Sequence, residues 1–323
     1  MFTHKDIEFR AIFVINCFEG RTLKVSNGEL LLQENESGNK TLTKFPFQKI
    51  LALFIIGHIS ITTPLIEKCK QNGVALVVMK QNLRPVFYWA DTAEANFLLR
   101  KKQYEYSPND ITVAKALVSN KIQNQIALLN KIRGKTPEIK CAIHNCQELS
   151  DTISICNDYN SLMGIEGRAA KSFFSAYFKD MEWKGRRPRV KSDPVNATLD
   201  FGYTILFNFI ECYVRLFGFD IYVGVYHRLW FKRKSLICDL MEPFRCIIEN
   251  TTRTAINKKR ISSKDFNNNK GEYRLKLDKI GDYCKVYMDA LIPYKTEIFK
   301  YIQNYYRAFM KGKASEQYPN FVY

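Results

Sequence analysis

Leu162-Met163-Gly164-Ile165-Glu166-Gly167-Arg168-Ala169-Ala170-Lys171-Ser172-Phe173-Phe174-Ser175-Ala176-Tyr177-Phe178 is the stretch around which the chain is organised. Read at helical period, positions 162, 166, 169/170, 173 and 177 fall on one face. That face reads Leu, Glu, Ala/Ala, Phe, Tyr, so a carboxylate sits within an apolar stripe. A buried carboxylate is costly unless a cation or hydrogen-bond donors meet it. Ala169 and Ala170 leave room for another element to approach. Two readings stay open from this helix alone: a Glu paired with a core Arg or Lys, or a Glu with chemistry to perform.

Towards the C-terminus the pattern stays helical. Lys184-Gly185-Arg186-Arg187-Pro188-Arg189-Val190-Lys191 reads as a basic loop. Asp193-Pro194 then caps a long apolar helix through Phe217, stopped by Gly218. Ile221–Tyr226 reads as short and extended, and Ser235–Ile248 as helical. Residues 257–272, rich in Asn, Lys, Ser and Gly, read as a loop. The last helices run from about Lys279 to Met310, with a break at Pro293.

Towards the N-terminus, Ser107-Pro108 opens a long helix through Ile132, and Thr136-Pro137 opens another. Before about Asp91 the period is that of strands. Thr22–Val25 and Glu29–Leu32 flank Asn27-Gly28, a two-residue hairpin signal. Ser37-Gly38-Asn39 marks a further turn, and Ile50–Ile56, His58–Ile61, Val74–Met79 and Pro85–Trp89 read as strands. Thr63-Pro64 caps a short helix that ends at Asn72-Gly73. The expected architecture is α+β: a β-rich domain over 1–92, a linker over 93–106, and an α-helical domain over 107–323.

Composition narrows the function. A chain of 323 residues with 46% hydrophobic content supports real cores rather than disorder. The longest apolar run, Ile50–Ile56, is strand-length, and the first residues lack a secretory pattern. These features predict a cytoplasmic protein with no membrane association. The nine cysteines are scattered and odd in number, unlike a disulfide framework. Cys141, His144 and Cys146 cluster locally but lack a second pair at zinc-ligand spacing. A net charge of +17 points to a polyanionic partner, nucleic acid before all others.

Three pieces of the helical part carry candidate chemistry. Glu166 lies on an apolar face, His227 ends an apolar segment, and Asp239 and Glu242 are three apart on one helix face. A His with carboxylates suits Mg²⁺ or Mn²⁺, and a basic surface around such a site suggests phosphoryl transfer on nucleic acid. Against this, an isolated His is commonly a structural residue, and an Asp/Glu pair is commonly a solvated face. Arg186, Arg187, Arg189 and Lys191 follow Glu166, and Arg228, Lys232, Arg233 and Lys234 lie between His227 and Asp239. With Trp183, Trp230 and Phe231 interleaved, these could track a DNA backbone and stack bases. Packing against neighbouring helices is the plainer role for each aromatic.

These residues resemble a known family, the CRISPR-associated spacer integrases (the Cas-one family of the adaptation module). Gly164-Ile165-Glu166-Gly167-Arg168-Ala169-Ala170 with Tyr177-Phe178 matches its first acidic motif. Asp193-Pro194-Val195-Asn196-Ala197 with Phe201-Gly202-Tyr203 matches its central helix. Gly218-Phe219-Asp220, Gly224-Val225-Tyr226-His227 and Asp239-Leu240-Met241-Glu242-Pro243-Phe244-Arg245 match its His and second acidic motifs. Gly57–Leu65 and Asn120–Leu129 agree in the first half. Asp200 and the aromatic-rich Tyr226–Phe231 depart from the commonest wording, but the ligand types are intact.

The resemblance implies a β-sandwich-like amino-terminal domain and an all-α catalytic domain; the amino-terminal part, β-rich and without an acid/His grouping, is expected to carry a dimer contact and no chemistry. It implies a homodimer, a complex with the small Cas-two protein, and double-stranded DNA partners: spacer precursor and repeat array. By motif, Glu166, His227 and Glu242 would hold Mg²⁺ or Mn²⁺, Asp239 would be a supporting acid of the catalytic set, and Asn196 would stand behind the ligands. The implied reaction inserts spacer DNA at the leader-repeat junction, a 3′-hydroxyl acting as nucleophile. Two other readings remain: a metal-dependent nuclease acting on branched DNA, and a non-catalytic DNA-binding scaffold.

Overall fold

A computed structural model describes residues 3–17, 20–34, 40–90, 95–181, 183 and 185–323. The expected turn at Ser37-Gly38-Asn39, the boundary at residue 92 and Lys184 lie outside the described residues.

The first part is β-rich. After α1 (His4–Phe9) come β1 (Ala11–Asn16), β2 (Arg21–Ser26), β3 (Glu29–Glu34), β4 (Lys40–Pro46) and β5 (Ile50–Ile56). Then follow α2 (Thr63–Asn72), β6 (Ala75–Met79) and β7 (Pro85–Trp89). One sheet has the order β1-β5-β6-β7, parallel except for the antiparallel β6–β7 pair. The other is the antiparallel meander β2-β3-β4. Asn27 and Gly28 take φ of 50° and 76°, as a two-residue hairpin turn requires. His58–Ile61 is not a strand: beyond the Gly57 N to Met79 O bond the chain runs irregularly to α2.

β5 shows why this part does not stand apart from the rest. All seven of its residues are buried. Ile50, Leu53 and Ile55 face a core shared with Leu23, Leu30, Phe47 and Leu65 under the meander. Leu51, Phe54 and Ile56 face the main core, with Ile205, Phe209 and Tyr213. A strand buried on both faces needs a continuous apolar run rather than alternation, and Ile50–Ile56 is that run.

The second part is helical: α3 (Phe97–Glu105), α4 (Thr112–Lys131), α5 (Pro137–Asp151), α6 (Tyr159–Tyr177) and α7 (Pro194–Leu216). Next come α8 (Ser235–Met241), a 3-10 turn (Glu242–Phe244) and α9 (Arg245–Asn257), then a hairpin of β8 (Phe266–Asn269) and β9 (Glu272–Leu275), then α10 (Ile280–Leu291) and α11 (Lys295–Lys311). The α+β reading holds, with sequence boundaries adjusted. The stretch 93–106 contains a helix, α3, docked by Asn96, Arg100 and Gln103 onto carbonyls of Phe217, Gly218, Asp220 and Val223. α4 starts at Thr112, after a turn in which Asp110 accepts from Thr112 N.

Two further expectations are corrected. Ile221–Tyr226 forms turns, because its last backbone N–H groups go to a side chain rather than to a strand. Residues 257–272 include most of the β8–β9 hairpin, held by Tyr273 N on Lys191 O and by Phe266 in a small core with Ile261 and Tyr283. Its polar residues hid it: β8 is Phe266 followed by three asparagines, and only Phe266 is buried.

Candidate functional site

Three elements of the helical part converge. α6 starts on Asp158, whose carboxylate accepts from Ser161 N at 2.9 Å, and two turns on it presents Glu166. α8 and the 3-10 turn after it present Asp239 and Glu242. α4 packs against both and presents Lys121.

Glu166 and Glu242 share a cation. The Lys121 ammonium contacts Glu166 Oε1 closely and lies 2.8 Å from Glu242 Oε2. The lysine side chain is only 8% exposed, so both carboxylates meet it largely out of water. Arg245 holds the other oxygen, Glu242 Oε1, at 2.8 Å. Burial alone would raise the Glu242 pKa, but the charges of Arg245 and Lys121 hold it down to about 2. Burial alone would lower the Lys121 pKa, and the two facing carboxylates reverse that, so the lysine stays charged. Of the readings left open for Glu166, pairing with a core lysine is therefore found. The carboxylate pair makes that lysine part of the site.

Asp239 does something else. It is fully buried and accepts four N–H bonds. Oδ2 takes Val225 N (2.6 Å) and Tyr226 N (3.1 Å), and Oδ1 takes His227 N (2.8 Å) and His227 Nδ1 (2.7 Å). A carboxylate only accepts, so Nδ1 carries a proton, and in the neutral imidazole Nε2 is the lone-pair nitrogen. This is the arrangement by which a carboxylate orients a histidine ligand. Gly224 is needed beside it, since a Cβ there would come within 2.6 Å of Asp239 Oδ2.

The donor set fits a hard divalent ion in chemistry. Two carboxylates already hold one cation between them, and His227 offers an oriented nitrogen. Glu242 Oε2 is buried and receives no directed hydrogen bond, although the ammonium stands close to it. Among the described residues no three His, Cys, Asp or Glu side chains close to metal-binding distance. Lys121 stands between the two acids.

The remaining candidates separate. Asn196 is fully buried and organises the basic loop rather than the acids. Its Nδ2 donates to Gly185 O and Asp193 Oδ2, and its Oδ1 accepts from Arg186 and from Arg187 N. Arg186 is locked onto Asp200 at 2.7 Å, and Lys234 onto the buried Glu211 at 2.7 Å, so both serve the fold. Arg233 ties its own loop together through Ser235 Oγ and Arg228 O. Lys191 faces Glu272 at 3.9 Å. Arg187, Arg189, Arg228 and Lys232 are exposed, and so are Trp230 and Phe231. Trp183 packs on Phe174 and Phe178. Cys141 is exposed on α5 while Cys146 is buried against Ala169 O.

Sequence reasoning missed Lys121 and Arg245 as parts of the site. A lysine on the buried stripe Ala114, Leu117, Val118, Lys121, Ile122, Gln125 was the available signal.

No described helix is long and apolar enough to cross a membrane. Residues 17–288 match the family described as CRISPR associated protein Cas1. A CRISPR-associated endonuclease Cas1 of Thermodesulfovibrio yellowstonii is 30% identical over 253 residues, 73% of this chain and 78% of that protein. Another, of Thermus thermophilus, is 28% identical over 80% of this chain and 76% of its own length. Among solved structures, a Cas1 protein from Thermotoga maritima superposes with a TM-score of 0.74 at 20% identity, covering 93% of this chain and 98% of that one. A casposase bound to an integration product gives 0.76 at 17% identity, covering 96% and 94%. A Cas6-RT-Cas1–Cas2 complex gives 0.78 at 20% identity, where 97% of this chain spans 36% of the longer polypeptide.

Proposed function

The chain belongs to the Cas1 family, and on that premise we propose that it is a metal-dependent DNA integrase of CRISPR adaptation, inserting spacer DNA at the leader-repeat junction. One observation carries the reading: carboxylates from two different elements, Glu166 and Glu242, meet at a single cation position, and Asp239, three residues before Glu242, hydrogen-bonds Nδ1 of His227.

Glu166, Glu242 and His227 Nε2 would hold Mg²⁺ or Mn²⁺. A bound divalent ion supplies Lewis-acid charge at the attacked phosphate and the leaving oxygen. Asp239 orients His227 and keeps its proton on Nδ1. Arg245 fixes one oxygen of Glu242 and leaves the other to the cation. Arg187, Arg189, Arg228 and Lys232 offer exposed positive charge to DNA phosphates. The 3′-hydroxyl of the incoming strand attacks the phosphodiester as the repeat strand's 3′-oxygen leaves. One phosphodiester is exchanged for another, so no nucleoside triphosphate is consumed.

A homodimer, with its contact on the β-rich part, and a complex with Cas2 belong to the same reading. A solved complex of a similar protein with Cas2 supports the second. The test is strand transfer into a plasmid carrying leader and repeat, with 3′-hydroxyl and 3′-blocked donors, with and without EDTA. Product from the 3′-hydroxyl donor alone, lost in EDTA, is expected. Nicking that is equal for both donors would make the protein a hydrolytic nuclease instead.

A further inference from the structure

Lys121 belongs to neither the ligand set nor the DNA surface, yet it lies at the centre of the site. It is buried, and its ammonium bridges Glu166 and Glu242, the two acids assigned to the metal. The helix that carries it is fixed on both sides of that position. Asn124 Nδ2 donates to Pro243 O at 3.0 Å, inside the 3-10 turn that begins with Glu242. Asn120 exchanges two hydrogen bonds with the Phe321 backbone at 2.7 and 2.9 Å, and Asn124 also binds Phe321 O at 2.9 Å. The lysine backbone is thereby held, and the flexible side chain is the part free to move.

Charge makes the consequence plain. A buried carboxylate, Glu242, and a part-buried one, Glu166, facing each other repel, and the ammonium cancels that repulsion. A divalent ion between the same oxygens would meet the ammonium at contact distance, cation against cation. Ammonium and metal cannot share the position.

We propose that Lys121 is an internal cation that keeps the Glu166–Glu242 pair closed in the metal-free protein and is displaced when the metal is held, so that it sets the site's metal affinity. Lys121 is in this sense a positioning residue. The proposal rests on the metal-site reading above.

The test is Mn²⁺ binding to the full chain without DNA, by titration calorimetry and by loss of the free-ion electron paramagnetic resonance signal. Lys121→Met preserves length and removes charge. It should bind Mn²⁺ more tightly than the parent by about tenfold or more, the scale on which neighbours of a metal ligand act. Its melting temperature without metal should fall, and Mn²⁺ should raise it more than in the parent. Lys121→Arg keeps a cation there and should stay a weak Mn²⁺ binder, which separates loss of charge from loss of packing. Equal Mn²⁺ affinity in the parent and Lys121→Met overturns the competition while leaving the metal site intact. No Mn²⁺ binding in either, with Glu242→Gln indistinguishable from both, overturns the metal reading itself.

Discussion

Replacing Asp239 with Asn changes one oxygen to an NH₂ group and leaves shape and volume alone. The carboxylate accepts four N–H bonds, two at each oxygen, between 2.6 and 3.1 Å. An asparagine oxygen can keep two of them. The new NH₂ group then faces two N–H donors with nothing to accept. Rotation cannot help, because a flip only exchanges the oxygen and the NH₂ group, and two N–H donors meet each position. Two bonds to a charged acceptor are lost, each contributing about 1.5–3 kcal/mol, so Asp239→Asn should destabilise by about 3–6 kcal/mol. That is a large part of the roughly 5–15 kcal/mol typical of a folded protein. Urea unfolding followed by circular dichroism measures it. If the amide oxygen faces the turn N–H groups instead, the His227 ring loses the partner that fixes its tautomer, and strand transfer falls but is partly restored by excess Mn²⁺. A loss of stability below about 1 kcal/mol, with unchanged activity, would refute the idea that Asp239 builds the 225–227 turn and aims His227.

Arg187→Gln with Arg189→Gln should lower the slope of log affinity against log salt for duplex DNA by about two, without lowering the melting temperature; an unchanged slope would remove this loop from the DNA surface. Arg186→Gln should instead lower the melting temperature, because Arg186 is paired with Asp200 and Asn196. The Glu242 carboxyl is held at about 2 against an ordinary 4.5. Its contribution to stability is therefore complete above about pH 4.5 and is lost as pH falls towards 2. Urea midpoints of the parent should drop more steeply across that window than those of Glu242→Gln, and parallel curves would contradict the pairing with Lys121 and Arg245.

How much of this is legible in the sequence depends on the residue. The α6 stripe with Glu166 inside it is read directly from spacing, and so are the Asn27-Gly28 hairpin and the cap at Asp193-Pro194. β5 is legible as a strand, and its unbroken apolar run fits burial on both faces, but what covers it is not legible, because one cover is α7, more than a hundred residues away. The 3-residue spacing of Asp239 and Glu242 puts them on one face, yet they do different work. Asp239 turns to the 225–227 backbone, and Glu242 turns to Lys121 and Arg245. Spacing cannot separate them, since the difference is made by the loop that returns to cover Asp239. Charge runs were least informative. Arg186 and Lys234 look like their exposed neighbours in sequence, and only Asp200 and Glu211, brought near by α7, show them to be internal pairs. The motif position of Asn196 suggests a place behind the metal ligands, whereas its side chain holds the basic loop.

The central claim is that Glu166, His227 and Glu242 form one metal-dependent strand-transfer site. The most direct measurement is plasmid integration by Glu242→Ala across a Mn²⁺ titration, with circular dichroism to confirm the fold and DNA binding measured alongside. The account predicts a folded protein that still binds DNA and forms no strand-transfer product at any Mn²⁺ concentration. Parental integration by folded Glu242→Ala would contradict it.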